Sequence, residues 1–263
     1  MHPFDTGISV QLNSDNTFNV DISPHWSINQ VPNGGYLMAI LANAMMRVSD
    51  KKSSPIITAN FMAKCHPGEA FVSVEKIASS KQFERFHAIL FQDGEEKIRA
   101  LGTFSKESIE CVFDRYEDTP PEIAPPEECF QLPVLPDFTL LERVDMRLDP
   151  CCAGWMTGTL VEKSEHKGWI RFREDRPYDI LSILLMADAF PPPVFASQGM
   201  VAWVPTIELS VNIRNMPQSK WLKCIFRTRF ITCGLLEEDG QVWDETGSLV
   251  AVSRQIAQYR NNS

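Results

Sequence analysis

The chain has 263 residues, of which 44% are hydrophobic and 22% charged, and its net charge is −9. That length fits one large domain or two of about 130 residues, with ample apolar material for a core. The acidic balance makes a polyanion such as nucleic acid a poor partner.

Residues 8–12 and 17–22 alternate apolar and polar and are expected to form a hairpin, with residues 13–16 as its turn. After His25-Trp26 comes Pro32-Asn33-Gly34-Gly35, a turn signal, and then a run to Val48 rich in Ala, Leu and Met. Apolar residues lie on nearly every side of this helix, so it should be buried all round. It is too short and too interrupted to span a bilayer, which needs about 20 apolar residues. Strands are expected over 56–64, 70–77, 83–91 and 97–104, with His66-Pro67-Gly68 and Asp93-Gly94 as turns.

Residues 106–138 mix acids with six prolines, which block both helix interiors and central strands. This stretch reads as a linker, either an ordered crossover or a mobile loop. Beyond it, strands are expected over 155–161 and 169–173. Asp179 can then cap a helix over 180–189, stopped by Pro191-Pro192-Pro193. Strands follow over 206–213, 222–230, 235–243 and 249–259. The element order matches the first half, and Pro55 and Pro67 recur 150 residues later as Pro205 and Pro217. An internal duplication is therefore expected. The division is 1–105 for the first unit, 106–147 for the Pro-rich acidic linker and 148–263 for the second unit.

The N-terminus, Met1-His2-Pro3-Phe4-Asp5, lacks the regions of a secretory signal, and the C-terminus lacks a retention or peroxisomal address. Seven cysteines without a CxxC pair favour free thiols in a reducing compartment, so a cytoplasmic location is expected. There is no GxSxG, P-loop, dinucleotide fingerprint or HExxH, and the five histidines show no metal-ligand spacing.

Four places can carry chemistry. Asp188 ends an otherwise apolar helix. If buried, its carboxyl must be compensated or raised in pKa, which suits a general base; if it faces solvent, it merely precedes the proline stop. Thr206 opens a strand and by itself shows only β-propensity. Gln255 lies mid-strand on a face with Ala251, Ser253 and Ala257; buried it needs partners, exposed it is simply solvated. Gly34 and Gly35 open the buried helix. Their amides either face a carbonyl oxygen or oxyanion at the positive helix end or only make the turn.

Several stretches together resemble one family. These are Ala187-Asp188-Ala189-Phe190-Pro191-Pro192, Trp203-Val204-Pro205-Thr206-Ile207-Glu208-Leu209, Gly234-Leu235-Leu236, Val242-Trp243-Asp244-Glu245-Thr246-Gly247 and Ser253-Arg254-Gln255, with Asn33-Gly34-Gly35-Tyr36 in the first half. They resemble the thioesterase-like superfamily, tandem-hotdog proteins related to acyl-CoA thioesterase II. The resemblance covers nearly the whole chain apart from the linker. It implies an α+β double hotdog: two antiparallel sheets, each wrapping a central helix and joined edge to edge, each covering the other's unpaired edge. It further implies hydrolysis of an acyl-CoA or acyl-carrier thioester without cofactor or metal. In that family an Asp, a Thr and a Gln activate water, and by motif position they fall on Asp188, Thr206 and Gln255. Tyr36 departs from the Gln that thioesterase II enzymes tend to carry there. A non-catalytic acyl-binding protein on the same fold is the alternative, a hotdog dehydratase or hydratase with a pocket histidine ranks below it, and a homo-oligomer stays open.

Overall fold

The structure is a computed structural model that describes residues 1–13, 16–106, 113, 115–200 and 202–261. Chain order begins with helix α1 (Pro3–Gly7) and strands β1 (Gln11–Leu12) and β2 (Thr17–Ile22). The β1–β2 hairpin is present, and the middle of its turn, Ser14 and Asp15, lies outside the described residues. Helix α2 (Gly34–Val48) follows, then strands β3 (Ser53–Phe61), β4 (Gly68–Ser79), β5 (Phe83–Gln92) and β6 (Glu95–Ser105). Strands β7 (Phe130–Gln131), β8 (Val144–Leu148) and β9 (Glu165–Phe172) precede helices α3 (Ile180–Met186) and α4 (Val194–Gln198). The chain ends on β10 (Thr206–Ile213), β11 (Leu222–Arg227), β12 (Leu235–Asp244) and β13 (Leu249–Gln258).

Helix α2 is buried as its composition requires: Tyr36 through Ala42, Ala44 and Met45 are at most 3% exposed. Asn33 caps it, its Oδ1 accepting the Tyr36 N–H at 2.9 Å. The helix lies on β3, β4, β5 and β6, and α3 packs beside it. Tyr36 departs from its family position for a local reason. Its hydroxyl donates to the Gly7 carbonyl at 2.7 Å and accepts the Ser23 N–H at 3.0 Å, which ties α1 and the loop after β2 to the start of α2. At the other end of α2, Ser49 and the Asp50 N–H hydrogen-bond to buried Glu84, which also pairs with Lys76 at 2.9 Å. Burial acts to raise the Glu84 carboxyl, and these partners outweigh it and hold it down to about 2.

These strands lie in one continuous, 14-stranded antiparallel sheet in which the two halves are joined edge to edge, and two further two-stranded sheets pair Ser27–Ile28 with Val31–Pro32 and Ala202–Trp203 with Arg260–Asn261. The path of the large sheet runs β1-β2-β4-β5-β6-β3-β10-β13-β12-β11-β9-β8-β7, with a short strand at Ile231–Thr232 paired to β12. The halves meet at β3 and β10, where Ala59 stands opposite Leu209 and the Thr58 and Ser210 hydroxyls bond at 2.9 Å. Ala59 and Leu209 are 150 residues apart, the same offset as the repeated prolines. Pairing these edges removes two rows of unsatisfied backbone groups, which would otherwise invite association.

Two expectations change. Residues 155–161 are not a strand. Gly154–Thr157 form a 3-10 turn closed by Gly158 at φ 82°, and the Trp155 ring packs on Phe195 and His166. The stretch expected as a linker over 106–147 is an ordered crossover where it is described, and its end, from Val144, is strand β8. Two backbone carbonyls fix it to the second half, Glu122 accepting from Lys167 Nζ at 2.6 Å and Ala124 from Trp169 Nε1 at 2.8 Å, and within the stretch Pro126 accepts from Arg147 at 2.9 Å.

Candidate active site

The site begins where the N-terminus of α2 meets the end of α3. The approach is so close that both glycines are required by space. A Cβ on Gly35 would run into the Leu184 carbonyl oxygen, and one on Gly34 would lie 2.9 Å from Asp188 Oδ2 and 3.2 Å from the Phe61 ring. Asp179 caps α3 in a capping box with Ser182, and the helix ends at Met186, ahead of the prolines. Asp188 thus emerges two residues beyond α3, against the first half of the chain.

Its surroundings are specific. Asp188 Oδ2 accepts the Gly35 N–H at 2.7 Å and an Asn33 Nδ2 hydrogen at 3.0 Å, and Asn33 Nδ2 also reaches the Asp188 carbonyl at 2.8 Å. Burial pushes the Asp188 carboxyl up to about 6, against the lowering effect of Gly35, Asn33 and Gly34. The residue keeps a partial opening to solvent. A carboxylate in this state is a competent base near neutral pH. Of the two glycine amides expected at a substrate oxygen, that of Gly35 is engaged within the protein. The Gly35 N–H is spent on Asp188, because the helix end is pressed against that side chain.

Thr206 and Gln255 meet directly, with Gln255 Nε2 donating to Thr206 Oγ1 at 2.9 Å. They sit on adjacent strands. A bulge between Thr206 and Glu208 puts Thr206 opposite Ala257, on the diagonal from Gln255. Gln255, 7% exposed, stands opposite Glu238 of β12. Glu238 is 9% exposed, and burial together with the charge of Asp188 raises its carboxyl well above the ordinary range. Glu238 thus stands beside Gln255 and within electrostatic reach of Asp188, whose own hydrogen bonds go to Asn33 and Gly35 and not to Thr206 or Gln255.

The sequence reading passed over three residues. Asn33 was read only as part of a turn, although an Asn at an N-cap was the available signal. Glu238 sits in an acidic run, Glu237-Glu238-Asp239, that carries no local signal of burial, and only cross-strand register reveals that it faces Gln255. No histidine is near Asp188 in the chain, yet the fold brings His166 onto the turn after it. His166 Nδ1 donates to the Pro191 carbonyl at 3.0 Å, and burial pushes the imidazole down to about 4, so it is neutral. Among the described residues no group of three or more His, Cys, Asp or Glu can hold a metal ion. The six described cysteines are free, and Cys111 lies outside the described residues. No helix among the described residues is long and apolar enough to cross a membrane.

Comparison with known proteins agrees with this architecture. A family model described as the acyl-CoA thioesterase C-terminal domain matches residues 118–259, and the corresponding N-terminal domain model matches residues 22–105. The chain belongs to this tandem-hotdog thioesterase-like family. An uncharacterized Mycobacterium tuberculosis protein is 25% identical over 91% of this chain and 90% of its own length. The crystal structure of a candidate thioesterase II from Thermobifida fusca YX is 26% identical, covers 98% of both chains and superposes with a TM-score of 0.89. A hot dog fold protein of unknown function from Alicyclobacillus acidocaldarius superposes at 0.90 over both full chains with 19% identity, a likeness of fold.

Proposed function

We propose that the protein is an acyl-CoA thioesterase built as a double hotdog, with one composite site formed by both halves. The observation that carries the reading is Asp188: a carboxylate from the second half, raised toward neutrality by burial and held in orientation by Asn33 and Gly35 of the first. In this reading Asp188 takes a proton from a water that is also held by the Thr206 hydroxyl and the Gln255 amide. The water attacks the thioester carbon, and the thiol leaves. Gly34 and Gly35 act through Asp188, fixing its carboxylate, in place of the oxyanion role expected from the sequence. Family membership and structural neighbours named as thioesterases support the same chemistry, and an acyl-carrier thioester is the other substrate of this class.

Positioned base catalysis is typically worth about 10²–10⁴-fold. The test is thiol release from acyl-CoAs of varied chain length by the purified chain and by Asp188→Asn. Turnover by the wild type that falls by that factor in the variant supports the reading. Binding of acyl-CoA with no turnover, unchanged in Asp188→Asn, would instead make this a non-catalytic acyl-binding protein.

A further inference from the structure

Two carboxyls lie within electrostatic reach of each other, and their hydrogen-bond partners differ sharply. Asp188 accepts hydrogen bonds from Gly35 and Asn33. Glu238, at 9% exposure, accepts none from any described residue. Across the ladder it stands opposite Gln255, so the two side chains share a face. Its neighbours in sequence point to the opposite face: Glu237 accepts the Arg229 N–H at 2.9 Å, and Asp239 pairs with Arg229 at 2.8 Å and with Arg254 at 3.9 Å. Arg227, on the adjoining strand, pairs with Glu165 at 2.7 Å. The charges that reach Glu238 are those of Asp188, Glu237 and Asp239, all negative. Two neighbouring acids with no cation between them keep one proton, and the donors around Asp188 leave that proton to Glu238.

The supply of donors points the same way. The Asn33 amide spends its bonds on Asp188, as does the Gly35 N–H, and Gln255 gives one hydrogen to Thr206. A thioester oxygen brought to this face therefore lacks the Gly35 amide and the Asn33 side chain as donors. We propose that Glu238 is a further catalytic group, a neutral acid that donates a hydrogen bond to the thioester carbonyl oxygen while Asp188 serves as the base. Water forms its bond to the carbonyl carbon as Asp188 takes its proton, and the carbonyl electron pair moves onto the oxygen held by the Glu238 O–H. Collapse restores the C=O, breaks the C–S bond and returns the proton from Asp188 to sulfur, leaving acid and thiol.

The chemistry rests on the thioesterase reading, whereas the location of the proton does not, and the experiment separates them. Infrared spectra at pH 7 of the wild type and Glu238→Gln should differ by the C=O stretch of one protonated carboxyl. Identical spectra overturn the inference whatever the activity. Kinetically, Glu238→Leu should lose about 10²–10³-fold in kcat, the scale of a lost oxyanion donor. Glu238→Gln, which keeps an N–H donor, should lose less than about tenfold and should lack the alkaline fall of the wild-type pH profile. Wild-type rates in the Leu variant, or an alkaline limb that persists in the Gln variant, would also overturn it. A wild type that hydrolyses no acyl-CoA removes the thioesterase reading alone, and the infrared comparison still decides where the proton sits.

Discussion

Replacing Asp188 by Asn should make the protein more stable and less active at once. The folded carboxyl is pushed up to about 6 from an ordinary 3.8. Each unit corresponds to about 1.36 kcal/mol, so the ionised group costs the fold up to about 3 kcal/mol at pH 7. Partial opening to solvent reduces this, and roughly 1–3 kcal/mol is the working range. The folded state binds the proton more tightly than the unfolded chain. This contribution is therefore favourable below about pH 4, declines as pH rises toward 6, and its cost is complete above that. An Asn keeps an oxygen for the Gly35 and Asn33 donors and removes the charge. Asp188→Asn should thus raise the melting temperature at pH 7 by about 2–12 °C, at roughly 2–4 °C per kcal/mol for a chain near this size. It should lower kcat by about 10²–10⁴-fold. The assay is thermal unfolding of both proteins from pH 4 to 8 beside steady-state thiol release. A variant that melts lower than the wild type, or a difference that does not grow from pH 4 to 6.5, would refute the assignment of a strained, ionised base.

Other outcomes follow from the same geometry. Thr206→Val and Gln255→Leu should each cost about 10–10²-fold in kcat, and the double variant little more than the worse single one, because one hydrogen bond joins them; fully additive losses would show that they act separately. Gly35→Ala should reduce both activity and stability, the latter by about 1–3 kcal/mol in chemical denaturation, since the new methyl group meets the Leu184 carbonyl. Tyr36→Phe should cost about 2–4 kcal/mol, as it strips partners from the Ser23 N–H and the Gly7 carbonyl, with kcat per folded molecule unchanged. For Glu84, held at about 2, the stabilising contribution is present above about pH 4 and lost as pH falls toward 2. Glu84→Gln should therefore flatten that part of the acid unfolding curve.

The sequence made the elements legible where a local rule governs them. The all-round apolar run after Asn33-Gly34-Gly35 could only be a buried helix, and the strands of both halves lie within a few residues of their expected bounds. The repeat was visible because two prolines recur at one offset within a matching element order, and that offset reappears in the Ala59–Leu209 pair at the junction. What stayed hidden depends on contacts across long separations. Nothing in Glu237-Glu238-Asp239 says which acid faces inward until β12 is set against β13. Nothing in the helix-opening glycines says that their amides turn to Asp188, more than 150 residues away. The Trp155 segment failed as a strand because its glycines permit a left-handed turn that alternation rules do not weigh. His166 is distant from Asp188 along the chain, and only the fold closes β9 onto the turn after Asp188.

Single-turnover hydrolysis of an acyl-CoA in ¹⁸O-water, with enzyme in excess, bears most directly on whether Asp188 activates water. The account predicts one ¹⁸O in the released acid on the first turnover and no product from Asp188→Asn on that timescale. Unlabelled acid on the first turnover would show that the carboxylate itself had attacked the thioester, and absence of any released thiol would contradict the hydrolase reading altogether.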